Sequence, residues 1–225
     1  MTSHDGSTDS DGHRLFAALY DPVVGPFESR VEPHRRWLAT GCRGTVLAVG
    51  VGTGAMFPYF AEVSRRDPTV EFVGIEPDPH MRKRAEPRAR ECGLDITIHD
   101  AGAEAIPLPD DSVDVVVASL VFCTIPDVDA AIDEVARVLE PGGEFRFFEH
   151  VRAKDWTNRI QQAATPVWKR VAGGCHLDRA TDERFIADDR FEVQALERLD
   201  VGVPPVEPFV RGVLVRNPEQ SLEGQ

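Results

Sequence analysis

Two patterns of hydrophobic and polar positions alternate along this chain and predict strands and helices in turn. Short apolar runs bounded by Gly, Pro and Asp predict strands, namely Thr45–Val49, Val70–Ile75, Asp95–His99, Val113–Leu120, Glu144–Val151, Phe191–Leu199 and Phe209–Arg216. Apolar residues three and four positions apart predict helices, namely Arg14–Tyr20, Phe27–Thr40, Gly54–Arg66, Asp78–Cys92, Val128–Leu139 and Trp156–Val171. This alternation predicts an α/β fold, with a mainly parallel sheet covered by helices on both faces. A Pro-rich loop without a helix joins the last two strands, so they can pair antiparallel.

The chain divides into two tails and two ordered parts. Residues 1–12 are rich in Ser, Asp and Gly and predict a disordered tail, and residues 217–225 have a similar composition. Residues 13–40 hold two helices that are too short for a domain and are interpreted as a helical lid. Residues 41–216 form the main domain.

The charge of the chain excludes several partners. The 225 residues include 38 Asp and Glu against 25 Lys and Arg, a net charge of −13, which disfavours nucleic acid and anionic membrane surfaces. No apolar run approaches the ~20 residues of a membrane helix, and the N-terminus lacks a secretory signal. We therefore expect a cytoplasmic protein without integral membrane contact. The acidic, Lys-poor composition indicates a halophilic cytoplasm, although a high-GC genome would also favour Arg over Lys.

The cysteines do not form a recognisable motif. Cys42, Cys92, Cys123 and Cys175 are far apart and make no CxxC pair, so neither a zinc site nor a redox motif is predicted. Nor do the histidines show ligand spacing, and no metal is expected.

A glycine-rich loop follows the first strand, where an open α/β sheet binds its ligand. Gly50, Gly52 and Ala55 match the dinucleotide pattern GxGxxG/A, whereas Gly50, Gly52 and Gly54 form the alternate-glycine loop of nucleoside-binding methyltransferases. The second strand is followed by Glu76, which can accept hydrogen bonds from both hydroxyls of a ribose. Either cofactor class would use this acid.

Two later segments separate these alternatives. GAEAIPLPDDSVDVVV begins at residue 102 and LEPGG covers residues 139–143. Together with the glycine loop and Glu76, in this order, they resemble the class I S-adenosylmethionine-dependent methyltransferases, in the large group that includes the quinone-ring methyltransferases. The resemblance covers residues 45–150. It implies S-adenosylmethionine as cofactor and a Rossmann-like fold, with a mostly parallel seven-stranded sheet, flanking helices and an antiparallel last strand.

A further likeness concerns the methyl acceptor. SVDVVVASLVFCTIPD (112–127), EHV (149–151), Trp168 and GCHLDR (174–179) resemble the methyltransferase-like thiol methyltransferases. The resemblance implies a small-molecule acceptor, first a thiol, with a quinol, phenol or amine as alternatives. Those relatives have an N-terminal membrane anchor, whereas this chain has a polar tail. A non-catalytic S-adenosylmethionine-binding protein is the alternative from another class, and the oligomeric state is left open.

The resemblance also assigns roles to single residues. It implies that the glycine loop borders the methionine and ribose parts of the cofactor, that Glu76 holds the ribose, and that other residues surround the adenine and the sulfonium. The implied cofactor residues are Gly50, Gly52, Gly54, Glu76, Asp78, Met81, Ala103, Glu104, Ser119 and Leu120. The family usually has an acid two residues before the first glycine, where this chain has Ala48. Backbone carbonyls or Tyr20 would then have to replace its contact with the cofactor's amino group.

Two residues are candidates for catalysis. His150 ends the fifth strand, where an imidazole could accept a proton near pH 7; the alternative is a structural histidine. Tyr20 lies in the predicted lid and could close over the cofactor. Cys175 and His176 either line the substrate mouth or are an inert thiol and a helix cap.

Overall fold

The computed structural model describes residues 28–204 and 206–218, in which strands and helices alternate. The strands are β1 (Thr45–Val49), β2 (Glu71–Ile75), β3 (Thr97–His99), β4 (Val113–Ser119), β5 (Leu139–His150), β6 (Phe191–Leu199) and β7 (Phe209–Arg216). The helices are α1 (residues 28–39), α2 (Phe57–Arg66), α3 (Pro79–Cys92), α4 (Val128–Val138), α5 (Thr157–Val171) and α6 (Thr181–Ala187).

The strands form one seven-stranded sheet in the order β3-β2-β1-β4-β5-β7-β6. The first five strands are parallel, and β7 pairs antiparallel with both β5 and β6. This confirms the predicted fold class. Strand order reverses at β1, which lies between β2 and β4, so the loops after these strands meet at one edge of the sheet.

Several predicted boundaries differ from the structure. Helix α2 begins at Phe57 and not at Gly54, because Gly54 has φ +87°, which a right-handed helix cannot adopt. Strand β5 begins at Leu139 and not at Glu144, because Leu139 already pairs with Val113. Helix α6 was not predicted, since its seven residues are too few for a periodic pattern.

Both faces of the sheet are buried under separate apolar clusters. Alternation along β5 sends Phe147 into one cluster and Phe148 into the other. In the first cluster, the ring centroids of Phe145 and Phe185 lie 5.0 Å apart in an edge-to-face arrangement. Burial on two faces explains why β4 is an almost continuous apolar run.

Helix α1 is fixed to the sheet through Trp37. The Arg146 guanidinium from β5 lies 5.0 Å from the centroid of that ring, and the Arg211 guanidinium from β7 lies 4.8 Å from it. His34 also stacks on Phe148, with ring centroids 4.8 Å apart. The second half of the predicted lid is thus packed against the main domain.

The remaining predictions on domain organisation stay predictions. Residues 1–12, the helix predicted at Arg14–Tyr20 and residues 219–225 lie outside the described residues. Across the described ranges, no helix has the length and apolar character that a membrane span requires.

Candidate active site

A cavity of about 300 Å³ lies at the carboxyl ends of β1, β2 and β4, a size within the usual range of small-molecule sites. Its walls come from the glycine loop, the segments after β2 and β4, and helix α1. The predicted cofactor residues on these walls are Gly50, Gly52, Glu76, Asp78, Met81, Ser119 and Leu120. The structure therefore brings most of that set around one cavity.

The glycine loop needs its glycines for two different reasons. Gly50 has φ +62°, and a Cβ there would lie 2.2 Å from a methyl carbon of Val121. Gly52 has φ +56°, and a Cβ would meet no atom within 4 Å. The first glycine lets the loop pack against the segment after β4. The second leaves backbone open to the cavity.

Glu76 is a buried carboxylate held by backbone amides. Its two side-chain oxygens accept hydrogen bonds from Gly52 N at 2.9 Å and from Asp78 N at 3.0 Å. Asp78 in turn caps helix α3, since its carboxylate accepts from the backbone N–H groups of His80 and Met81. Burial raises the pKa of Glu76 despite these hydrogen bonds.

The raised pKa of Glu76 leads to a testable pH dependence. We expect the affinity for S-adenosylmethionine, the cofactor that the resemblance implies, to fall as the pH is lowered from neutral into the acid range, starting above the pH at which a surface glutamate protonates. A protonated carboxyl accepts ribose hydrogen bonds more weakly, which explains the sign. Calorimetric titration across this pH range measures the effect. A flat profile for the wild-type protein would contradict it, and Glu76→Gln should remove the pH dependence.

Three predicted cofactor residues do not line the cavity. Gly54 lies against helix α2, where a Cβ would clash with the ring of Phe57. Ala103 is buried in the apolar cluster on one face of the sheet. Glu104 accepts a hydrogen bond from Asp127 N at 3.3 Å, at the start of α4. Their cofactor roles stay predictions.

The segment after β4 is held by the end of β5. Leu120 has a left-handed backbone with φ +57°, and its N–H donates to Phe148 O at 2.8 Å. A carboxylate oxygen of Glu149 accepts from Val121 N and Phe122 N, at 2.9 and 3.2 Å. Burial raises the pKa of Glu149 to about 7, although these hydrogen bonds oppose the shift. Leu120, with its strained left-handed backbone, therefore lies on the cavity wall. Backbone strain of this kind often occurs at functional sites.

His150 lies at the end of β5, as predicted, but not on the described cavity wall. Its ring is buried, and its Nε2 lies 3.1 Å from Cys175 Sγ. Burial is the largest effect on the pKa of His150 and lowers it, but the hydrogen bond with Cys175 and the charges of Cys175 and Glu149 together outweigh burial, so the pKa is raised. The pKa of Cys175 is lowered to about 4, because hydrogen bonds with Cys123 and then His150 outweigh its burial. Tyr20 lies outside the described residues.

Sequence reasoning missed Arg35. This residue of α1 is 1% exposed and lines the cavity. One of its terminal nitrogens pairs with the Glu28 carboxylate, while its Nε has no hydrogen-bond partner among the described residues. No local motif distinguishes Arg35 from its neighbour Arg36 in the sequence, although Arg36 is not buried.

Comparison with known proteins identifies the family. A family model described as a methyltransferase domain matches residues 47–147. The human thiol S-methyltransferase TMT1B is 32% identical over 186 residues, which cover 79% of this chain and 73% of that protein. The chain belongs to the class I S-adenosylmethionine-dependent methyltransferases.

A second relative agrees with this assignment, and a solved structure shares the fold. The phosphatidylethanolamine N-methyltransferase of Cereibacter sphaeroides is 32% identical over 181 residues, covering 78% of this methyltransferase and 84% of that protein. The crystal structure of the YcgJ protein from Bacillus subtilis shares the fold, at 18% identity and a TM-score of 0.64, with coverage of 82% and 98%. The dinucleotide interpretation of the glycine loop is therefore wrong for this methyltransferase.

Proposed function

We propose that this methyltransferase transfers a methyl group from S-adenosylmethionine to a small thiol. One observation carries the choice of acceptor. Among the described residues that line the cavity, the charged ones are Arg35, Glu76 and Asp78. Glu76 and Asp78 both follow β2, on the side of the cavity that the family resemblance assigns to the ribose. The described lining therefore offers no group placed to deprotonate an acceptor. A thiol needs none, because its pKa near 8.5 leaves it partly ionised at neutral pH.

The residues on the wall fit the proposed cofactor. The Glu76 carboxylate can accept from the ribose hydroxyls, and the open backbone at Gly52 lets a ligand approach closely. Ser119 also lines the cavity, and its buried Oγ has no hydrogen-bond partner among the described residues. The Arg35 guanidinium is suited to the carboxylate of the methionine part. Ala48 also lines the cavity, so the amino group would have to rely on backbone carbonyls or on Tyr20.

The chain's own contribution is alignment and exclusion of water. Bound S-adenosylmethionine supplies an electrophilic methyl group on a sulfonium sulfur. The wall around it is apolar at Met56, Phe57, Leu120 and Val121. A dry, preorganised wall positions the thiolate and removes the water that would solvate it.

The two relatives are named for different acceptors, so the choice between a thiol and an amine rests on the cavity lining. TMT1B is named for a thiol acceptor, and the protein from Cereibacter sphaeroides for an amine. An alkyl amine with a pKa near ~10.4 is almost fully protonated at neutral pH and must first lose a proton. The described lining provides no base for that step.

The catalytic roles of His150 and Tyr20, the cytoplasmic location and the halophilic origin stay predictions.

The test is release of S-adenosylhomocysteine with a panel of acceptors. We expect turnover with an alkyl thiol or hydrogen sulfide, and at least ~10-fold less with a quinol, a phenol or an amine. Because no base assists, the rate should rise with pH and level off near the pKa of each thiol. Thiols of different pKa should therefore give shifted profiles. Faster turnover of the amine or the phenol would contradict a thiol acceptor, and binding of the cofactor without any turnover would favour a non-catalytic protein.

A further inference from the structure

Three metal-ligating side chains converge behind the wall of the cavity. Cys123 follows β4, His150 ends β5, and Cys175 follows α5. The two sulfurs and an imidazole nitrogen all lie within 4.8 Å of one another. All three residues are buried, with exposed fractions of 3%, 3% and 8%. We call them the Cys–His–Cys cluster.

The chemistry of the Cys–His–Cys cluster fits a soft divalent cation. Two cysteine sulfurs and one imidazole are a donor set that zinc prefers. With Zn–S near ~2.3 Å and Zn–N near ~2.0 Å, tetrahedral coordination places neighbouring donor atoms roughly 3.5–3.8 Å apart. The observed separations are compatible with this after small side-chain movements. Two thiolates would also neutralise a Zn²⁺ ion, so the occupied cluster would bury no net charge.

The surrounding backbone holds the Cys–His–Cys cluster together without a metal. His176 N donates to Cys123 O at 2.9 Å, which joins the segments of the two cysteines. The Arg179 guanidinium donates to Phe122 O and Ile125 O, both at 2.6 Å, on either side of Cys123. These contacts preorganise the donors, which lowers the ordering cost of binding an ion.

We propose that Cys123, His150 and Cys175 bind one Zn²⁺ ion. The site would link three segments, two of which also supply the cavity wall through Leu120, Val121, Thr124 and Gly173. Three protein ligands leave a fourth coordination position for water or another small donor. The proposal does not depend on the identity of the methyl acceptor.

The deciding measurement is the metal content of the purified protein. The protein must carry no affinity tag that binds metals. After incubation with zinc and extensive dialysis, inductively coupled plasma mass spectrometry should find about one zinc ion per chain. Incubation of the metal-free protein with Co²⁺ should give thiolate-to-cobalt charge-transfer absorption and tetrahedral d–d bands. Wild-type protein that retains under a tenth of an equivalent of zinc and gives no cobalt bands would overturn the proposal, whatever the variants do.

Matched variants locate the site. Cys123→Ser and Cys175→Ser should each retain under a tenth of the wild-type zinc, whereas Cys42→Ser and Cys92→Ser, at half-buried cysteines outside the cluster, should retain all of it. Circular dichroism and cofactor binding report whether the variants fold. If a serine variant does not fold, the cysteines of the wild-type protein are alkylated instead, and mass spectrometry measures the modification of each one. A chelator should then speed modification of Cys123 and Cys175 but not of Cys92. Equal zinc loss in all four variants, or alkylation that the chelator leaves unchanged, would place the metal elsewhere.

Discussion

Glu76→Gln is expected to weaken the binding of S-adenosylmethionine by at least about 100-fold. Each hydrogen bond from a ribose hydroxyl to a charged carboxylate contributes ~1.5–3 kcal/mol, and ~1.4 kcal/mol corresponds to a factor of ten. The amide has a second defect. Both carboxylate oxygens accept from backbone N–H groups, of Gly52 and Asp78, so the amide NH₂ group would face a donor. Isothermal titration calorimetry with the cofactor and with S-adenosylhomocysteine measures the loss.

Glu71→Gln is the matched control for this prediction. Glu71 begins the same strand, β2, and its side chain is exposed at the opposite end. Its amide variant should bind the cofactor as the wild type does. If Glu76→Gln also bound with unchanged affinity, Glu76 could not be the group that holds the ribose.

Gly52→Ala is expected to reduce cofactor affinity at least ~10-fold while the protein still folds. The new methyl group would meet no protein atom within 4 Å, and Gly52 lines the cavity, so under the proposed function the methyl group would take space that the cofactor needs. The left-handed backbone at φ +56° adds a strain of ~1–2 kcal/mol. For a chain of this size, such strain lowers the melting temperature by about 2–8 °C.

Gly142→Ala separates the strain from the steric block. Gly142 also has a positive φ, +84°, and open space around its absent Cβ, but it lies in β5 away from the cavity lining. Both alanine variants should therefore lose similar thermal stability, and Gly52→Ala alone should lose cofactor affinity. Equal affinities in calorimetry would mean that no ligand approaches the backbone at Gly52.

The sequence was sufficient for the parts of the site that depend on local signals. An apolar strand followed by alternate glycines predicts the loop at Gly50 and Gly52, and an acid directly after the next strand predicts Glu76. Because β1 and β2 pair in parallel, their carboxyl ends place these two segments side by side. For the same reason, the fold class could be predicted from the alternation of elements.

Other parts depend on which elements meet in space. Arg35 lies on the cavity wall because α1 packs on the sheet, and no short motif encodes that docking. The Cys–His–Cys cluster has no compact spacing along the chain, so the sequence pattern predicts no metal site at these residues. The left-handed conformation of Leu120 has no local sequence signal either, since its N–H donates to Phe148 O in β5, far along the chain.

The place of β7 in the sheet has a consequence for synthesis of the protein. This strand is the last of the described strands, yet it lies between β5 and β6 and pairs with both. Translation proceeds from the N-terminus, so β6 leaves the ribosome before β7, the strand that joins β6 to the sheet. The nascent domain therefore exposes an unpaired edge at β5 until residues 209–216 leave the exit tunnel. Protease resistance of the whole domain should appear in one late step, and a chain ending before Phe209 would lose two strands rather than one.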